Sequence, residues 1–286
     1  MEQGIIVKGI GGTYEVQTEG GLVLCSLRGR LRLRDDRILV GDRVEISREA
    51  QGRGAVEKIL PRRNELTRPA IANVDQVIVV SSVQNPAPNY LLLDRILVQA
   101  ELLGIDCIVV INKGDLDPAR AAELQAMYSG ISYPTLVTSG VEKQGLEQLK
   151  ACLQGRVTTL AGPSGVGKST LLNALDSSLN LETGKVSVKT QRGKHTTRSV
   201  ELLPIGGGYV ADTPGFSRLQ IEPRQERDLQ FAFPEFRKYI DGCQFRGCLH
   251  RQEPGCQVKE AVCRGEILEK RYEHYLILLA EAAPSY

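Results

Sequence analysis

What this 286-residue chain lacks narrows its class first. No apolar run reaches the about eighteen residues a membrane-spanning helix needs. The opening Met1-Glu2-Gln3-Gly4 also lacks the basic-then-apolar pattern of a secretory leader. A cytoplasmic protein with no membrane partner is therefore expected. Excess charge is missing as well. With 36 Lys and Arg against 34 Asp and Glu, the formal charge is +2. Any nucleic-acid contact must come from local basic patches. Nor do the seven cysteines form an evenly spread set. Cys25, Cys107 and Cys152 are scattered, and four fall between Cys243 and Cys263. Such clustering predicts a metal site, not a disulfide framework.

The chain reads as multidomain, in three segments. Residues 1–62 carry short runs rich in Val, Ile and Leu at 4–10, 13–17, 22–27, 38–46 and 55–60, separated by Gly-Gly, Asp-Asp and Gly-Arg-Gly. Five short strands in that length predict an all-β barrel, with the OB-fold as leading candidate. Within it Arg28, Arg30, Arg32 and Arg34 alternate with Gly29, Leu31 and Leu33. Read as extended chain, period two sets the four guanidinium groups on one face, a match for an RNA backbone. The alternative is a solvated strand or loop partly neutralised by Asp35 and Asp36.

Residues 63–220 alternate apolar strands (77–83, 105–111, 135–137, 157–161, 208–211) with helical patterns (90–103, 119–127, 146–153), predicting an α/β domain with a mainly parallel sheet. Residues 221–286 hold the Cys/His cluster and end in an apolar-striped helix over 265–282, a mostly helical domain.

The strand at 157–161 feeds Gly162-Pro163-Ser164-Gly165-Val166-Gly167-Lys168-Ser169-Thr170, which fits the phosphate-loop pattern. Its glycines let successive N–H groups face phosphates, Lys168 reaches the β- and γ-phosphates, and Ser169 ligates Mg²⁺. Asn112-Lys113-Gly114-Asp115 closes the strand at 105–111. A carboxylate at Asp115 accepts from guanine N1–H and the exocyclic amine, donors adenine does not offer in that arrangement. Asn112 bridges base and phosphate loop, and the Lys113 stem lies along the ring. The backbone of Thr138-Ser139-Gly140 is a further, weaker candidate for the guanine carbonyl. Asp212-Thr213-Pro214-Gly215 follows the last strand: Asp212 reaches Mg²⁺ through water, and the Gly215 N–H senses the γ-phosphate. In His195-Thr196-Thr197-Arg198, Thr197, or else Thr196, is expected to close on Mg²⁺ and the γ-phosphate.

These pieces stand in an unusual order, because Asn112 precedes Gly162. The reading is a circularly permuted P-loop GTPase domain, in which the 212–215 loop runs directly into the C-terminal region. There Cys243, Cys248, His250 and Cys256 are spaced C-x₄-C-x-H-x₅-C. Three thiolates and one imidazole suit a closed, structural Zn²⁺ site. Cys263 is expected to pack or at most substitute as a ligand, and His274 to be structural.

GPSGVGKST, the preceding NKGD, the following HTTR and DTPGF, the leading barrel and the cysteine spacing together resemble the RsgA (YjeQ) family of circularly permuted GTPases. The resemblance spans essentially the whole chain, including Arg68 to Asp75 at the entry to the central segment. It implies an RNA-binding OB-fold, a G domain and a zinc domain that engage the small (30S) ribosomal subunit and its rRNA late in maturation, with slow GTP hydrolysis to GDP stimulated by that subunit. Phe216 stands where Ras-like enzymes place the water-positioning glutamine; His195 is similar to the family's proposed catalytic histidine and is expected to orient the attacking water once the subunit is bound. A monomer is expected. The rival readings are a P-loop kinase or ATPase, which the guanine motif disfavours, and a nucleic-acid module holding nucleotide only structurally.

Overall fold

The computed structural model describes residues 1–29, 31, 37–49, 52–67, 69–181, 200–212 and 226–283, with only the backbone of Asp212. The chain divides into two compact units. One comprises Met1–Val77, Leu146–Leu160 and Ser169–Phe216, the other Ile78–Gly145, Ala161–Lys168 and Ser217–Tyr286.

In the first unit β1 (Glu2–Ile10), β2 (Thr13–Thr18) and β3 (Gly21–Leu27) form an antiparallel meander. β3 runs parallel to β5 (Arg53–Ile59), β5 pairs antiparallel with β4 (Arg43–Arg48), and β4 returns to β1. That order closes a five-stranded barrel. Its interior is what the alternation predicts: Ile6, Val16, Val23, Val44, Ile46 and Val56 are buried. Gly4 is required by the closure, since a Cβ there would lie 2.6 Å from Val16 and 2.7 Å from the Gln17 carbonyl. The strand expected over 38–46 starts only at Arg43. Before it, Gly41 (φ +89°) turns the chain and the buried Asp42 carboxylate accepts from the Leu39 N–H at 2.8 Å and from Arg62 at 2.7 Å. A small hairpin, β6 (Glu65–Thr67) with β7 (Ala70–Ala72), follows the barrel.

The same unit holds β11 (Val157–Ala161), parallel to β13 (Gly208–Asp212), which pairs antiparallel with β12 (Glu201–Ile205). β12, absent from the sequence reading, also meets β1 at Lys8↔Glu201, where the two side chains form an ion pair of 2.9 Å.

In the second unit β8 (Gln76–Ser82), β9 (Asp106–Asn112) and β10 (Thr135–Val137) are adjacent strands, with β9 and β10 parallel. Both β8 and β9 are apolar and almost wholly buried, as strands covered on both faces must be. Helix α1 (Tyr90–Leu102) starts at Asn89, whose side chain caps the Leu92 N–H. Helix α2 (Pro118–Gly130) has proline at its first position and Asp117 as cap. The chain also forms α3 (Leu146–Leu153), α4 (Lys168–Leu175), α5 (Arg237–Ile240), α6 (Gln257–Cys263) and α7 (Glu269–Ala282). The terminal helix begins at Glu269, not 265, because Gly265 adopts φ +73° and the chain stays extended at Leu268. Among the described residues no helix is long and apolar enough to cross a membrane.

Candidate nucleotide site and metal centre

The glycine-rich loop leaves β11 through Gly162 (φ +135°), turns at Gly165 (φ +83°) and Gly167 (φ +95°), and enters α4 at Lys168. A Cβ on Gly162 would lie 2.1 Å from the Val80 carbonyl, and one on Gly167 2.4 Å from Asn112 Nδ2. Both glycines are therefore demanded by the tertiary fit as well as by φ. Between them run Pro163, Ser164 and Val166, the last buried; Ser169 and Thr170 sit on the first turn of α4.

The Asn112-Lys113-Gly114-Asp115 segment meets this loop directly. Asn112 is buried, and its Nδ2 donates to the Val166 carbonyl at 2.8 Å while its Oδ1 accepts from Thr138 Oγ1 at 3.1 Å. The side chain is thus a strut between β9 and the loop, with both ends engaged. Lys113, at φ +61°, donates through Nζ to the Gly165 carbonyl at 2.8 Å and to the Asn85 carbonyl. Gly114 is buried and its N–H donates to the Thr138 carbonyl at 3.0 Å. Asp115 lies exposed on the 3₁₀ turn Gly114–Leu116, its carboxylate without a partner among the described residues.

Lys168 Nζ donates to the Gly162 and Pro163 carbonyls, each at 2.8 Å, and burial pushes its pKa down. An ammonium that, among the described residues, is part-buried and held by neutral carbonyls fits an anionic ligand. Of the Thr138–Gly140 amides, two are already committed: Thr138 donates to Ile111 O at 2.9 Å and Ser139 to Gln144 O at 3.0 Å. Ser139 is also buried, so Gly140 is left as the amide able to face a ligand. The backbone of Asp212 ends β13, one residue past the Thr159↔Ala211 pair. His195, Thr197 and Gly215 lie outside the described residues.

The metal cluster assembles fully. The ligand atoms of Cys243, Cys248, His250 and Cys256 all lie within 4.8 Å of one another. His250, at φ +58°, aims Nδ1 at Cys256 Sγ (3.3 Å) and Cys243 Sγ (3.6 Å). Its Nε2 is 2.9 Å from Gln230 Oε1, and Gln230 Nε2 is occupied by the Arg227 carbonyl at 3.0 Å. That arrangement makes Nε2–H the donor and leaves the Nδ1 lone pair facing the sulfurs, the tautomer a metal needs. Burial lowers the His250 pKa and raises those of Cys256 and Cys248, the latter up to about 12. A bound cation would favour the thiolates against that burial. Tyr272 and Tyr275 of α7 brace the turn from behind, donating to the His250 carbonyl at 2.6 Å and the Leu249 carbonyl at 2.8 Å. Cys263, expected to pack, is exposed and outside this group.

Of the expected arginine face, Arg28 falls within the described residues. β3 ends at Leu27, Gly29 and Leu31 are helical, and the Leu31 N–H donates to the Arg28 carbonyl at 2.9 Å. Arg28 is engaged with Glu57 at 2.8 Å. Arg30, Arg32 and Arg34 lie outside the described residues.

Sequence reading missed one buried charge network. Asp94 of α1, 1% exposed, contacts Arg271 Nη1 at 2.7 Å and His274 Nδ1 at 2.5 Å, both on α7. Burial disfavours the charge on Arg271, yet Asp94 and Glu235 hold its pKa well above the ordinary value. His274 is structural, as expected.

Residues 59–222 match the model of the RsgA GTPase family and residues 3–56 that of the RsgA N-terminal domain. The chain belongs to the RsgA GTPase family. It is 48% identical over 280 residues to the "Small ribosomal subunit biogenesis GTPase RsgA" of Moorella thermoacetica, covering 98% of this chain and 97% of that protein. The protein of the same name from Shouchella clausii is 48% identical over 285 residues, again covering 98% and 97%. Among solved structures, YjeQ from Thermotoga maritima superposes with a TM-score of 0.84 at 41% identity, covering 98% of each chain. YloQ, described as a circularly permuted GTPase, gives 0.84 at 38% identity over 100% of this chain and 97% of its own. RsgA membership accords with the closed barrel, the inverted motif order and the Cys₃His cluster.

Proposed function

We propose that this protein is a GTPase acting in biogenesis of the small (30S) ribosomal subunit, hydrolysing GTP to GDP and phosphate with activity stimulated by that subunit. The observation that carries the reading is the pair of bonds from Asn112 to Val166 and from Lys113 to Gly165. They hold a guanine-reading motif against a phosphate loop although the two stand in inverted order in the chain. Three functional segments are proposed: 1–62 binding rRNA, 63–220 hydrolysing GTP, and 221–286 holding zinc.

In this reading Asp115 accepts from guanine N1–H and the exocyclic amine, Lys113 lies along the ring, and the Gly140 amide faces the guanine carbonyl. The Gly162–Thr170 amides and Lys168 neutralise the β- and γ-phosphates, and the Gly215 amide meets the γ-phosphate. Ser169, Thr197 and Asp212 would hold Mg²⁺, which when bound adds positive charge where the transferred phosphoryl accumulates negative charge. His195 orients the attacking water. Cys243, Cys248, His250 and Cys256 would hold Zn²⁺, which when bound would cross-link the C-terminal segment away from the hydrolytic chemistry. The cytoplasm follows as the place of work.

Single-turnover hydrolysis of GTP and of ATP, with and without purified small subunits, tests the proposal. GTP-selective turnover that rises with subunits is expected. Equal turnover of the two nucleotides sinks the guanine reading, and indifference to subunits sinks the ribosomal one.

A further inference from the structure

The region that carries the Cys₃His cluster shares its core with α1. Its buried cluster of Phe233, Phe236, Tyr275, Leu278 and Leu279 includes Val98 of α1, and Leu91 and Leu102 of the same helix pack against it. Beside that apolar contact lies the Asp94 carboxylate, on which three helices converge. α1 carries it, α7 supplies Arg271 Nη1 at 2.7 Å and His274 Nδ1 at 2.5 Å, and α2 brings Tyr128 Oη to 3.5 Å. The other face of Arg271 binds Glu235 at 2.7 Å. At the rim Arg95 and Glu281 add a second α1–α7 pair of 2.7 Å.

α1 and α2 are the two helices that flank the guanine motif. α2 is capped by Asp117, two residues beyond Asp115. α1 follows the loop that Lys113 grips at the Asn85 carbonyl and that Gln84 ties to the Leu116 carbonyl at 3.2 Å. Arg120 of α2 donates to Tyr90 Oη at the start of α1. Sliding α1 against α2 would therefore move the floor of the base site. A buried ion pair adds little net stability over an apolar substitute, but it penalises any register in which a charge loses its partner. We propose that Asp94 and Arg271 are positioning residues for guanine recognition: their ion pair fixes α1 against α2 and α7 and so sets the turn that presents Lys113 and Asp115. The assignment rests on reading that turn as the guanine site. Linkage makes the effect reciprocal, so guanine binding must in turn tighten α7.

The test uses the full-length, zinc-loaded protein. In the wild type, hydrogen exchange across residues 271–279 is followed with GDP, with pyrophosphate and without ligand. GDP is expected to slow exchange several-fold, and pyrophosphate, which lacks the base, to leave it unchanged. In Arg271→Met, once near-ultraviolet dichroism and zinc content match the wild type, the Kd for GDP is expected to rise about tenfold. Pyrophosphate affinity should stay within about twofold and the preference for GDP over IDP should fall, with Arg271→Lys recovering part of both. A folded Arg271→Met that binds GDP as the wild type does overturns the proposal. So does a wild type that binds GDP with α7 exchange unaltered, and that arm decides alone if the variant fails to fold. A wild type with no preference for GDP over ADP defeats the guanine reading itself, and the positioning role with it.

Discussion

Gly167 shows how much of the site hangs on single atoms. Its φ of +95° and the 2.4 Å that would separate a Cβ from Asn112 Nδ2 act together. The left-handed backbone alone costs an alanine about 1–2 kcal/mol, and the methyl group also displaces the strut to Val166. Gly167→Ala should therefore weaken GDP binding by at least about tenfold in titration calorimetry, a 1.4 kcal/mol loss. Asp115 is the complementary case, exposed and without a partner among the described residues, so its removal should leave the fold alone and alter only selectivity. A hydrogen bond to a charged group contributes about 1.5–3 kcal/mol. The wild type should accordingly prefer GDP over IDP, which lacks the exocyclic amine, by about 10–100-fold, and Asp115→Ala should bring the ratio of the two Kd values near one. At this scale the sequence was informative. NKGD and GPSGVGKST name the atoms, but not that Asn112 spends both ends of its amide inside the protein or that Ser139 has no free N–H.

Among the elements, the turn from Cys243 to Cys256 and helix α7 depend on each other. Tyr272 and Tyr275 hold the backbone carbonyls of His250 and Leu249, and Gln230 fixes the imidazole from the far side. A partner of this kind typically changes metal affinity about 10–100-fold when removed. Gln230→Ala should release zinc to a chromogenic chelator correspondingly faster while keeping all four ligands. The cysteine spacing made the cluster legible. Gln230 was not, since a glutamine twenty residues upstream carries no signature until the chain folds. The arginine stretch is a different case: β3 ends at Leu27 and Gly29 and Leu31 are helical, while Arg30, Arg32 and Arg34 lie outside the described residues.

For the molecule as a whole, the proposed activity predicts a split between basal and stimulated hydrolysis. If His195 orients water only on the ribosome, His195→Ala should hydrolyse GTP normally alone and lose the stimulated rate by on the order of 10²-fold with saturating small subunits. Stopped-flow phosphate release under both conditions measures this. A variant stimulated like the wild type would move the role to another residue.

By itself the sequence determined the leading barrel, the α/β alternation, the inverted order of NKGD and GPSGVGKST and the spacing of the Cys₃His cluster. Each depends on residue type at short spacing, which local chemistry dictates. Tertiary structure alone decided that β12 pairs with β1 and that Asn112 props the phosphate loop. It also decided that Asp94 finds Arg271 and His274 about 180 residues away. Those partners are fixed by how helices and strands pack, and a buried charge in an apolar helix announces only that it must have a partner, never which one.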